Sequence, residues 1–149
     1  MVIQNIRALF MGIFIATTFC FAGTVLAADL VNVKVAVIHA AKDKGASDPA
    51  LKKIETSLRK AFGGFSSFKQ LDKHQFKLKK TGQKKLSLPN GLSAAVRYDG
   101  QKGKYHMMRL NIPKSKVDVA LRVPAKRMFY QAGMKYKGGI LILAFYLKD

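Results

Sequence analysis

The chain has 149 residues, and its 27 lysines and arginines outnumber its eight aspartates and glutamates, giving a formal net charge of +19. The single cysteine excludes an intrachain disulfide, and so few acids argue against a calcium site. Because 49% of the residues are hydrophobic, the chain can form a core, and the charge does not indicate disorder. The charge favours association with polyanions, with a solubility role as the alternative.

An N-terminal segment, residues 1–27, has the layout of a cleaved secretory signal peptide. Arg7 precedes a mostly apolar run from Ala8 to Ala22, and Val25-Leu26-Ala27 supplies the residues expected around a cleavage site. The alternative is an uncleaved membrane anchor, because about 20 apolar residues can span a bilayer. We therefore expect an exported protein, periplasmic or extracellular, with residues 28–149 as one domain. Cleavage removes one cation and no acid, which leaves a net charge of +18 and no cysteine.

A strand and a helix are predicted at the start of this domain. Valines recur at every second position from Val31 to Val37, which is the period of a strand with one buried face. Asp48-Pro49 is a helix start signal, and Gly63-Gly64 is a stop signal. Apolar residues at helical spacing between them predict one amphipathic helix over about residues 48–62. We expect this helix to pack on a sheet, with a membrane-surface role as the alternative.

Only short strands are predicted after Phe65. Alternating residues on both sides of Lys79-Lys80-Thr81-Gly82-Gln83-Lys84-Lys85 predict a β-hairpin with a lysine-rich tip. Asn90-Gly91 predicts a tight turn. Three more alternating strands follow, over residues 92–98, 105–112 and 117–123.

The last part of the chain is predicted to hold a short strand at Met128-Phe129-Tyr130 and a loop from Gly133 to Gly139. Ile140–Leu147 is apolar at both parities, as expected of a central strand covered on both faces. The whole pattern predicts a β-rich α+β fold: an antiparallel β-sandwich or barrel of about 7–9 short strands, with the helix inserted after the first strand.

Strand parity suggests a binding surface. If the apolar residues of each strand point inward, six cations point outward, and they share one sheet face if the strands are neighbours in sequence order. These six are Lys77, Lys79, Lys85, Arg97, Arg109 and Arg122. Lys80 and Lys84 add charge at the hairpin tip, and Tyr105 and Met107 add apolar surface on the same face. The alternative is that outward strand positions simply carry charge.

Motifs for catalysis are not recognisable. His39, His74 and His106 form no close metal-binding pair, and the serines lie in no nucleophile motif. We expect no enzyme activity, no metal and no cofactor. The expected function is binding of an anionic polymer or surface: anionic lipid headgroups, an acidic envelope glycan or, less expected behind a signal peptide, extracellular nucleic acid. The alternative is a subunit of a cell-envelope or extracellular assembly that meets an acidic protein partner.

Overall fold

The computed structural model describes residues 30–149. The predicted signal peptide, residues 1–27, and its cleavage site lie outside the described residues. None of the helical segments between residues 30 and 149 has the length and hydropathy of a membrane span.

Eight strands form two four-stranded antiparallel sheets. The strands are β1 Leu30–Ala41, β2 Ser67–Lys79, β3 Gln83–Ser87, β4 Ser93–Lys102, β5 Tyr105–Ile112, β6 Val117–Pro124, β7 Met128–Tyr136 and β8 Gly139–Lys148. The first sheet has the order β2-β1-β8-β7, and the second has the order β3-β4-β5-β6. The prediction of a β-rich, sandwich-like α+β fold is therefore confirmed.

The main core lies between the two sheets. Val31, Val33, Val35 and Val37 of β1 are at most 1% exposed and face this core, as their period-two spacing predicts. The alternate residues of β8, from Leu141 to Leu147, pack against them. Every second residue of the central strands β4 and β5 closes the core from the second sheet.

A second core lies on the other side of the first sheet, under a short helical segment. This segment is a 3₁₀ turn at Pro49–Leu51 followed by α1 at Glu55–Ala61, so the helix predicted over about 48–62 is confirmed in its place but is interrupted at residues 52–54. Asp48 does cap the 3₁₀ turn, since its carboxylate accepts from the backbone N–H of Ala50 at 2.9 Å. Leu51 and Leu58 pack on the sheet as the helical spacing predicts.

β8 is the central strand predicted for the end of the chain. It lies between β1 and β7, and its two parities face the two cores. The loop predicted from Gly133 to Gly139 is wrong, because β7 continues to Tyr136. Gly133 instead occupies a β-bulge with a φ of 125°, a backbone conformation that glycine readily adopts.

The lysine-rich hairpin is also wrong in its pairing. β2 and β3 lie in different sheets, so the stretch between them crosses from one sheet to the other. The turn is closed by the N–H of Gly82, which donates to the carbonyl of Lys79 at 2.8 Å. Thr81 and Gly82 then pair with Tyr98 of β4, and the chain enters the second sheet there.

His106 is a core residue, as its inward parity predicts. It is fully buried, and its Nδ1 lies 3.2 Å from the hydroxyl oxygen of Tyr98. Its Nε2 lies 3.1 Å from a carboxylate oxygen of Asp149, within ion-pair distance but without an aligned hydrogen bond. The side chain of Asp149 thus contacts the core of the sandwich through this histidine.

Candidate anion-binding faces

Four of the six predicted outward cations lie together on the outer face of the second sheet. Lys85, Arg97, Arg109 and Arg122 come from β3, β4, β5 and β6, which are neighbours in sequence order. We call this surface, with Tyr105 and Met107, the arginine face. Arg97 lies directly opposite Arg109, and Met107 lies opposite Arg122.

Carboxylates accompany two of these arginines. Asp99 accepts from Arg97 at 2.7 Å, and this hydrogen bond raises the pKa of Arg97. Asp118 on β6 accepts from Arg109 at 3.3 Å. Arginines directly opposite one another repel, and the two carboxylates offset that repulsion. The positive potential of the arginine face is therefore partly compensated by its own acids.

Arg122, the cation that β6 contributes to this face, contacts an aromatic ring. The guanidinium carbon of Arg122 lies 4.9 Å from the centre of the Tyr105 ring, and the ammonium group of Lys104 lies 5.5 Å from it. Contacts of this kind are worth about 0.5–1 kcal/mol at exposed sites. Tyr105 therefore holds cations on the arginine face in addition to offering apolar surface.

The other predicted cations lie elsewhere. Lys77 and Lys79 belong to β2 and therefore to the first sheet, so the expectation of one face with six cations is wrong. Lys80 lies in the crossing turn, with its stem packed over Gly100. Lys84 is part of β3 rather than of a hairpin tip. It lies opposite the buried Val96, so it is on the side of β3 that faces the core, but β3 is an edge strand. Its side chain is exposed because the strand has no neighbour on that side.

A second cationic surface lies on the helix side of the first sheet, beyond the helical segment. Residues directly opposite one another on antiparallel strands share a face. Asn32 lies between Lys77 and Lys148, and Lys34, two residues further along β1, lies opposite Tyr146. We call this surface the lysine face and define it by six exposed lysines: Lys34, Lys53, Lys73, Lys77, Lys79 and Lys148.

The lysines of this face form no ion pair with an acid among the described residues. None of the five ion pairs within residues 30–149 includes a lysine, and three of them involve arginines. Asp72 follows the same strand, but its register with Val37 places it on the opposite face of the sheet. There its carboxylate lies 3.1 Å from Nε2 of His74. The lysine face is thus the more strongly positive of the two surfaces.

A pocket of about 270 Å³ opens in the lysine face beside the first part of the helical segment. Its apolar lining comes from the sheet and from the helical segment: Ala36, Leu51, Ile54, Met128 and Ala144. Lys34, Lys53 and Lys73 line it as well, and no aspartate or glutamate does. The arrangement combines an apolar floor with three lysine side chains in the wall of the pocket.

Four lysines of this face were not predicted from the sequence. Lys34 alternates with the inward valines of β1, so the parity argument used for Lys77 would have found it. Lys73 has the same parity as Lys77 in a continuous register of β2, so the same argument would have found it as well. Lys53 lies between the 3₁₀ turn and α1, and Lys148 ends a strand that is apolar at both parities.

Within residues 30–149, no three histidine, cysteine, aspartate or glutamate side chains are grouped to hold a metal ion. The chain matches no family model, no curated protein and no solved structure.

Proposed function

We propose that the domain is a non-enzymatic binder of an anionic polymer or surface, and that it binds through the lysine face. The observation that carries this proposal is a cluster of six exposed lysines that have no carboxylate partner among the described residues. Bringing so many like charges together is unfavourable for folding, and an anionic ligand would relieve that repulsion.

The extent of the lysine face favours an extended ligand over a small anion. Lys73 lies opposite Ala36 and Lys79 lies opposite Leu30, so these two lysines are six residues apart along β2. At about 3.4 Å per residue, this separation is roughly 20 Å. That is about twice the screening length at 0.1 M salt, so one small anion cannot neutralise both ends. A membrane surface or a polyanionic chain can contact the whole strip.

The arginine face is less suited to this role because its acids already neutralise part of its charge. Arg97 and Arg109 each have a carboxylate within 3.3 Å. An incoming anion would have to compete with these ion pairs. Lys77 and Lys79, which the sequence singled out, belong to the lysine face and remain candidate contacts.

The test compares two charge-reversal variants of residues 28–149, a segment that contains every residue of both cores. The lysine-face variant carries Lys34→Glu, Lys73→Glu and Lys77→Glu. A control variant with the same change in net charge carries Lys102→Glu, Lys104→Glu and Lys114→Glu, all exposed and outside the lysine face. Binding is measured by co-sedimentation with vesicles that contain phosphatidylglycerol and by retention on heparin, across a series of salt concentrations.

We expect the unchanged protein to bind both materials at low salt and to dissociate as salt rises, since exposed charges are screened. The lysine-face variant should lose most of this binding, whereas the control variant should lose much less. If the two variants lost the same amount of binding, the binding would depend on net charge alone, and the lysine face would not be the binding site. A folded protein that binds neither material at low salt would refute the proposal and favour the acidic-protein alternative.

A further inference from the structure

The pocket in the lysine face combines apolar and cationic groups, whereas a site for a simple polyanion needs only the cationic ones. The helical segment covers the sheet as far as the Ala36–Ala144 pair, and the next pair, Lys34 and Tyr146, is outside it. The apolar floor between these two pairs is therefore left open, and lysines surround it. We propose that this pocket takes the alkyl chain of an anionic amphiphile, whose phosphate or carboxylate group lies among Lys34, Lys53 and Lys73.

This inference rests on the proposed function, because it names the class of ligand that the lysine face binds. An inorganic anion would gain nothing from the apolar floor. An uncharged apolar molecule would gain nothing from the ammonium groups. The methylene stems of the lysines can extend the apolar wall while their charged ends stay in water. A molecule with one anionic end and one apolar chain matches both parts of the pocket.

The size of the pocket limits the occupant. Its volume of about 270 Å³ is slightly below that of small-molecule sites, which span roughly 300–1,000 Å³. A single alkyl chain, or the first part of one, fits such a space better than a multi-ring ligand. Tyr146 and Met128, which both line the pocket, add an aromatic ring and a flexible thioether that adapt to a chain.

A series of alkyl phosphates tests the inference. Inorganic phosphate, butyl phosphate, octyl phosphate and dodecyl phosphate are titrated by calorimetry into residues 28–149, each below the concentration at which it forms micelles. Each methylene that enters the pocket should lower the dissociation constant by about fourfold, and the gain should stop once the pocket is filled. A dissociation constant that does not change with chain length would overturn the inference.

A plugged pocket provides the matched control. Ala50 is exposed and lines the pocket, and its hydrogen bond to Asp48 uses the backbone N–H, so Ala50→Trp should fill the entrance without disturbing the fold. Ala61→Trp places the same side chain at the exposed end of α1, outside the pocket. We expect Ala50→Trp to weaken binding of octyl phosphate at least tenfold and Ala61→Trp to leave it unchanged. Equal binding by the two variants would contradict the inference.

The two proposals fail in different ways. If heparin retention depends on the lysine face but alkyl chain length has no effect, the proposed function stands and the amphiphile pocket is refuted. If neither heparin, anionic vesicles nor alkyl phosphates bind, both are refuted. Vesicles and free alkyl phosphates also distinguish the source of the ligand. A protein that binds octyl phosphate but not anionic vesicles takes free amphiphiles rather than lipids of a bilayer.

Discussion

Gly139 lies against the backbone of β1 with no room for a side chain, and its replacement tests how the first sheet is assembled. A Cβ atom at this position would lie 2.0 Å from the carbonyl oxygen of Ala40 and 2.9 Å from Nε2 of His39. The carbonyl oxygen belongs to β1 and cannot rotate away as a side chain can. Gly139→Ala must therefore push the start of β8 away from the end of β1.

The cost follows from this geometry. Overpacking usually destabilises by about 1–3 kcal/mol, and we expect about 3 kcal/mol here because the obstacle is backbone. With an m-value of about 2 kcal/mol/M in urea, the unfolding midpoint should fall by about 1.5 M. The measurement is urea unfolding followed by circular dichroism.

Gly64→Ala is the matched control. A Cβ atom at Gly64 would meet no other atom within 4 Å, and its φ lies outside the left-handed region. Its effect should stay within about 0.5 kcal/mol. If Gly139→Ala were as mild as Gly64→Ala, β8 would not lie against β1 in this register, and the lysine face, which depends on that register, would lose its basis.

Three further predictions concern the helical segment and the core beneath it. Asp48→Ala removes the cap of the 3₁₀ turn and should cost about 1 kcal/mol, measured by the same urea unfolding. Leu58→Ala empties a fully buried position between α1 and the first sheet and should cost about 2–5 kcal/mol in that assay. The hydrogen bond from Arg59 lowers the pKa of Glu55, so this pair stabilises the fold above the ordinary pKa of a glutamate and stops doing so as pH falls through the lowered value. Arg59→Gln should raise the pKa of Glu55 in an NMR titration, and an unchanged value would refute the pairing.

The alternating strands of the second sheet were predictable because each has one buried face. In β4, β5 and β6 the outward positions of Arg97, Arg109 and Arg122 follow directly from the inward apolar residues. The neighbour order of these strands follows from short connections, which usually join adjacent strands. The predicted placement of these three arginines on one face is therefore correct, and their role in binding stays a prediction.

The division of strands between two sheets was not predictable from the pattern. A hairpin and a sheet-crossing turn have the same alternating residues on both sides of the same polar, glycine-containing stretch. Which one forms depends on whether the residues after Gly82 pair with β2 or with β4, and that choice is made by distant parts of the chain. Local spacing carries no information on it, so Lys77 and Lys79 were assigned to the wrong face.

The β-bulges limited the prediction in the same way. Parity along β2 changes between Gln70 and Asp72. These two residues pair with Ile38 and Val37, which are consecutive in β1, so Leu71 is one extra residue in β2. A one-residue shift moves every later side chain to the other face, so parity counted forward from Phe68 assigns Lys73 and Lys77 to the wrong side of the sheet. The bulge at Gly133 similarly hid the continuation of β7.

Acetylation of the lysines in the presence of ligand tests the central claim most directly. All 21 lysines lie between residues 30 and 149, so mass spectrometry can follow each modification rate with neutral and with phosphatidylglycerol vesicles. We predict that anionic vesicles slow the modification of Lys34, Lys73 and Lys77 strongly, with little change at Lys102 and Lys114. Protection centred on Lys85, or spread evenly over all lysines, would contradict binding through the lysine face.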